Sequence, residues 1–333
     1  MPLFERKFDV DALRNYRDVA VIKALFDRWV LPGEDAGPHG LRVAVRNGYL
    51  NFYVKGQSIA KLSISSGSPR FEVHDKYVAG VVKGHEDESK YAQKYTSFSL
   101  GHGTEIPMME VTKWVHTAET YAGDEKRFVD DLVAVTAGTL DLEMALPARP
   151  DATGKVAPRM DLVVAQGHDI GFWEAKCAVN GELRSDHNKP AAPHVVVQLR
   201  KYVAWMDNDS GPSEVRSAYS EAARILLALA EMFGKTGPAI AAWQTFADAG
   251  DTASVILPPG VVVGNYCSPR ANGVLRETEM ERYRSHGASF VQNQHEARLK
   301  RFGIKVLPIG CKPATSCLCI LVPGKIAEVE PRP

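Results

Sequence analysis

MDLVVAQGHDIGFWEAKCA, residues 160–178, is the stretch whose reading decides the fold. Two apolar runs flank Gly167-His168, and glycine at the first central position of a two-residue loop suits a type II′ hairpin turn. Such a turn closes Gln166 on Asp169 and sets Ala165 against Ile170 and Val163 against Phe172, so that Asp161 falls opposite Glu174. Strand side chains alternate faces with period two. Phe172, Glu174 and Lys176 therefore share one face, and Trp173, Ala175 and Cys177 the other. Opposed side chains sit about 5 Å apart at Cβ, where two carboxylates on an apolar sheet repel.

A buried carboxylate pair persists only with a proton or a cation. A divalent cation resolves the conflict, and Mg²⁺ commonly uses one or two carboxylates plus water and substrate phosphate. Lys176 follows on the same face and can orient or deprotonate water, or pair with a phosphate. The plainer reading is a salt bridge on a half-solvated sheet, but buried ion pairs seldom add stability.

The neighbouring segments supply two further groups. A helix is expected over 124–137, where Glu125, Phe128, Val129 and Leu132 share one stripe while Asp130 and Asp131 fall to the other side. A Glu in a first helical turn also suits the helix dipole, with no catalytic role. A second helix, 193–206, builds its core stripe from Val195, Leu199, Val203 and Met206. Gln198 and Tyr202, four apart, lie together beside that stripe, with His194 a turn earlier. An amide and a phenol there can hold a nucleic-acid backbone or orient Lys176.

The rest of the chain frames this region. Alternation of helices and strands from about residue 106 predicts helices at 111–122, 214–233, 238–247 and 289–302, and strands at 139–146, 260–266 and 304–309. SCLCILV, 316–322, reads as a further strand. Upstream, residues 9–30 carry a helical stripe of Tyr16, Val19, Ile22, Phe26 and Trp29. A β-meander follows, with Asn47-Gly48 and Lys55-Gly56 as turns. The expected division is an α+β module over residues 1–105, selecting substrate or partner, and an α/β domain over 106–333.

The 333 residues carry 40 basic and 40 acidic side chains, so whole-molecule charge gives no argument for nucleic-acid binding. A local excess of Arg and Lys over 270–305 could neutralise phosphates, and serves equally as a solvated helix face. Apolar runs fall short of the roughly 20 residues that span a bilayer. The charged start lacks the apolar region of a signal peptide. Five Cys without disulfide-like spacing indicate reduced thiols, so a cytoplasmic protein with no membrane partner is expected.

Asp161, then twelve residues, then Glu174-Ala175-Lys176 resembles the PD-(D/E)XK nuclease superfamily. Met160 stands where many members carry Pro. The Glu125 helix before the motif and Gln198-x-x-x-Tyr202 after it are similar to the arrangement in RecB-like members. The order helix, three strands, helix, strand also matches the shared core. The resemblance covers roughly residues 111–310.

It implies a restriction-endonuclease-like α/β fold, a central mixed sheet flanked by helices in the order αβββαβ. It implies Mg²⁺, with Mn²⁺ able to substitute, held by Asp161 and Glu174. Lys176 would assist the attacking water, Glu125 would be an accessory acid, and Gln198 and Tyr202 would position substrate. The implied partner is DNA, with protomers free to pair as a homodimer. Hydrolysis of DNA phosphodiester bonds in restriction, defence or repair is the expected activity. Cleavage of RNA, and a non-catalytic nuclease-fold protein that binds or scaffolds, are the alternatives. Some RecB-like members hold an iron–sulfur cluster, but Cys311, Cys317 and Cys319 lack the spacing and a fourth upstream Cys, so none is expected.

Overall fold

The computed structural model describes residues 4–309, except 86–87, 92–93, 101–107, 152–153, 185–191, 208–209, 265–288 and 291–292. The expected strand at 316–322, Cys311, Cys317, Cys319 and most of the basic segment lie outside the described residues.

Two helices open the chain where the stripe over residues 9–30 predicts one. α1, Val10–Arg14, is capped by Asp9, whose carboxylate accepts from the Ala12 N–H at 2.8 Å. The chain then turns so that the Tyr16 hydroxyl donates to the Gly67 carbonyl at 2.9 Å, and α2, Ala20–Asp27, starts afresh. The meander expected over 41–65 forms as β1 (Arg42–Val45), β2 (Tyr49–Val54) and β3 (Gln57–Ser65), and β4 (Ser68–His74) and β5 (Tyr95–Ser99), not expected from sequence, extend the sheet in sequence order. Lys55 and Gly56 take φ of 47° and 69°, the positive values that a type I′ turn demands. α3, Asp75–Ala79, lies between β4 and β5 in the chain. α4, Met108–Glu119, packs on this first sheet, its Trp114 stacking on Phe98 with centroids 5.7 Å apart.

α5, Asp124–Val135, leads into a second, six-stranded sheet. Its strands are β6 (Thr139–Ala145), β9 (Arg159–Gln166), β10 (Asp169–Cys177), β12 (Gly260–Gly264) and β13 (Lys305–Ile309), with the short β11 (Ser254–Val255) beside the start of β10. β7 (Arg149–Asp151) and β8 (Gly154–Val156) form a separate hairpin between β6 and β9. Strand order is β13-β12-β10-β9-β6, antiparallel from β6 to β10 and parallel from β10 to β13. The protein is thus α/β, with one antiparallel and one mixed sheet flanked by helices.

The β9–β10 register runs as the turn dictates, Gln166 on Asp169 through Leu162 on Trp173. Gly167 takes φ 59° at the first central position. The faces of β10 separate two apolar clusters. Trp173, Ala175 and Cys177 pack with Phe128, Val129, Leu132 and Val133 of α5. Phe172 belongs to the larger core with α6 (His194–Met206), α7 (Gly211–Met232) and α8 (Pro238–Ala249). The last helix, α9, covers only His295–Arg301.

α5 is covered on both sides. Asp130, on the side of the helix away from the stripe, is buried there and bridges to Arg42 at 3.2 Å and Lys55 at 3.1 Å. The helix is covered on that side by the first sheet, which its own periodicity does not reveal. A second buried network joins the sheets: Asp141 on β6 takes Arg6 at 2.9 Å, Arg46, and the Tyr219 hydroxyl at 2.8 Å. Burial alone would raise the Asp141 carboxyl, but Arg46 and Arg6 hold it below its usual value. Among the described residues no helix is long and apolar enough to cross a membrane.

Candidate functional site

The C-terminal half of β10 carries Glu174 and Lys176, both buried on a strand whose other buried side chains are apolar. Lys176 Nζ lies 2.8 Å from Glu174 Oε1, 3.3 Å from Glu125 Oε1 and 3.2 Å from Glu182 Oε2. Gln198, on the helix packed over this face, donates to the same Glu174 Oε1 at 2.8 Å. That leaves Glu174 Oε2 buried and without a hydrogen-bond partner among the described residues. An orphaned carboxylate oxygen costs on the order of 1–3 kcal/mol or more.

Asp161 enters from β9 on the same face. The β9–β10 ladder ends at Leu162 on Trp173, and the half-buried Asp161 carboxylate accepts from the backbone N–H of Ala175 at 2.7 Å in its place. This bond fixes the carboxylate beside Glu174. Burial holds the Asp161 carboxyl well above its ordinary value, and Glu174 and Glu143 push the same way; Lys176 and the Ala175 N–H oppose them. Glu174 is raised too, first by burial, with Lys176 and Gln198 opposing. Burial would lower Lys176, but Glu174 and then Glu125 outweigh it, so its ammonium is favoured far above neutral pH.

The structure brings Asp161, Glu174, Lys176, Glu125 and Gln198 together. It does not bring Tyr202 to them as a substrate contact. Tyr202 is fully buried, its ring packed on Phe172 with centroids 5.0 Å apart and its hydroxyl without a partner among the described residues. The position beside the helical stripe turns inward because the Phe172 ring needs cover.

Three contributors escape a reading of the sequence. Glu182 and Asn180 follow β10 in a short 3₁₀ turn, where Asn180 Oδ1 caps the Glu182 N–H at 2.9 Å and its amide donates to Glu125 Oε2 at 2.9 Å. Asn-Gly-Glu signals a turn, but not the direction in which it folds. His194, a turn before Gln198, pairs with Glu182 at 3.2 Å from an exposed position. Glu143 sits on β6 between Leu142 and Met144, which pair with Leu162 and Met160, so it flanks Asp161. Its φ of 52° marks a local irregularity in the strand. A cavity of about 490 Å³ opens beside it, lined by Arg46, Tyr49, Asn51, Lys126 and Arg159 among others. Cys177, the neighbour of Lys176, is buried and its thiol pushed up to about 12 by burial and by Glu125 and Asp124, so it remains protonated and a poor ligand.

The donor set is suited to a hard divalent cation. Carboxylates of Asp161, Glu174, Glu125 and Glu182 outnumber the ammonium of Lys176 among them, and one buried oxygen lacks a partner among the described residues. All-oxygen donors are those Mg²⁺ and Mn²⁺ take. No protein-family model matches the chain, and no curated protein or solved structure matches it. The site therefore stands on its own geometry.

Proposed function

We propose that the chain is a Mg²⁺-dependent nuclease with a restriction-endonuclease-like core, hydrolysing DNA phosphodiester bonds. The observation that carries this reading is the convergence of Asp161 and Glu174 beside Lys176, with Glu174 Oε2 buried and without a partner among the described residues. The order α5, β6, β9, β10, α6, β12, with the antiparallel strands first and the parallel one last, agrees with the fold that the resemblance implies.

Asp161 and Glu174 would hold the ion, with Mn²⁺ able to substitute. When bound, such an ion lowers the pKa of water and offsets negative charge on the phosphate. The remaining work falls to the chain. Gln198 fixes one oxygen of Glu174 and leaves the other for the ion. The Ala175 N–H sets the angle of Asp161. Lys176, an ammonium held by Glu174, Glu125 and Glu182, would turn a donor from one of these carboxylates to the attacking water or a phosphate oxygen; its raised pKa makes it a poor base at neutral pH. Glu125, half-exposed and anchored by Asn180, positions that ammonium. Lys126 and Arg159 on the adjoining cavity offer contacts to the DNA backbone.

The test is cleavage of supercoiled plasmid, linear duplex, single-stranded DNA and matched RNA, each with Mg²⁺, Mn²⁺ or EDTA. Metal-dependent DNA cleavage is expected, reduced at least about 10²-fold in Asp161→Ala and Lys176→Ala. Tyr202→Phe should leave it unchanged, since the hydroxyl touches nothing that reacts. Cleavage of RNA alone would change the substrate. Mg²⁺ binding that depends on Asp161 without cleavage would make the protein a non-catalytic binder. Absence of both would make the charges structural.

A further inference from the structure

A second cluster of metal-ligating side chains lies on the first sheet's side of the molecule. α4 ends with His116 and Glu119, three residues apart and so on one face of the helix. His39 comes from the loop after α2 and is held in the left-handed region at φ 64°. Its backbone N–H donates to Glu119 Oε1 at 3.0 Å, and its Nδ1 lies 2.9 Å from Glu119 Oε2. The His116 ring approaches the same point, with the two imidazole centroids 6.1 Å apart. One donor atom from each of the three residues falls within 4.8 Å of the others.

We propose that His39, His116 and Glu119 bind a transition-metal ion of the Zn²⁺ class. Two nitrogens and a carboxylate oxygen suit Zn²⁺, Ni²⁺ or Cu²⁺ and not Mg²⁺, which separates this site from the all-oxygen cluster around Glu174. A hydrogen bond joins His39 to Glu119, and helix spacing sets His116 beside the same carboxylate, so three ligating groups face one point that a shared ion would engage. Zn²⁺ takes such ligands at about 2.0–2.2 Å, and both imidazoles are exposed enough to rotate onto it. Three protein ligands leave a position open to water.

The placement gives the ion a structural task. Arg127 of α5 donates to the carbonyls of Glu119 at 2.9 Å and Ala122 at 3.2 Å, tying the end of α4 to the helix that carries Glu125. An ion on His39 would cross-link a loop 80 residues away in sequence to that corner. Closing so long a loop removes conformational freedom from the unfolded chain and stabilises the fold.

Co²⁺ is the probe, because its visible d–d absorption reports the ligands. The full chain, freed of metal by chelation and dialysis, should bind Co²⁺ stoichiometrically, lose the signal to Zn²⁺ and keep it in excess Mg²⁺. His39→Ala and His116→Ala should each weaken binding by at least about tenfold, the range seen even when only a ligand's supporting contacts are lost. Zn²⁺ should raise the melting temperature of the wild type and not of His116→Ala. His116 is exposed, so that variant folds, as circular dichroism will verify. Asp161→Ala should bind Co²⁺ as the wild type does, which keeps this site independent of the nuclease reading. Absence of stoichiometric Co²⁺ binding by the wild type, or binding unchanged in both histidine variants, overturns the proposal.

Discussion

Asp161 concentrates the energetic conflict of the site in one side chain. Burial and the nearby Glu174 and Glu143 raise its folded-state pKa, so the folded protein holds a proton that the unfolded chain releases near pH 4. Stability without metal must then fall as pH rises from that value towards the folded-state pKa, and level off above it. Asp161→Asn removes the penalty while its amide oxygen still accepts from Ala175. In EDTA at neutral pH the variant should be more stable than the wild type by on the order of 1 kcal/mol, the gap closing as pH approaches about 4. Urea melts across that range test it; a variant less stable at neutral pH would show that Asp161 is a structural anchor. The shared face of Glu174 and Lys176 and the approach of Asp161 from β9 were legible in sequence because strand alternation and a two-residue turn fix the faces, although the expected Asp161–Glu174 strand pair gives way to a bond from the Ala175 N–H to Asp161. Glu182 and Glu143 were not, since a turn's direction and an irregular strand residue depend on what packs around them.

At the scale of elements, short-range signals carried far. The hairpin turn set the β9–β10 register, and the apolar stripe of α5 marked the face that meets Trp173. What failed were elements whose course is set by distant partners: α1 and α2, split where Tyr16 reaches the Gly67 carbonyl, and Tyr202, drawn inward by Phe172. β12 shows a further constraint that hydropathy hides. The Phe128 ring lies over Gly264, and a Cβ there would come within 2.7 Å of it. Gly264→Ala should therefore push α5 outward and cost about 1–3 kcal/mol, the usual penalty of overpacking. Because α5 also carries Glu125, the same substitution should loosen the Glu125–Lys176 contact of 3.3 Å. A denaturation midpoint equal to that of the wild type would mean the ring swings aside without cost.

For the whole molecule, the division expected at residue 105 meets contacts that cross it. α4 packs on the first sheet, α5 is covered by both sheets, and Asp141 of β6 binds Arg6 and Arg46 from the other side of the boundary. Removing one partner of such a buried pair leaves an uncompensated charge and costs about 3–5 kcal/mol. None of this is legible in sequence, because an ion pair 135 residues apart leaves no periodic trace. The consequence is cooperativity. Chains well above about 150 residues often unfold in steps, yet here the sheets share a continuous apolar core as well as their ion pairs. Thermal unfolding should show one transition, coincident by far-ultraviolet circular dichroism and tryptophan fluorescence, and Asp141→Ala should lower both signals together. Burial alone would raise the Asp141 carboxyl, but its arginines depress it, so its contribution is present at neutral pH and lost only as pH falls through that depressed value. Two separated transitions, with Asp141→Ala shifting only one, would instead mark the N-terminal region as an independently folding module.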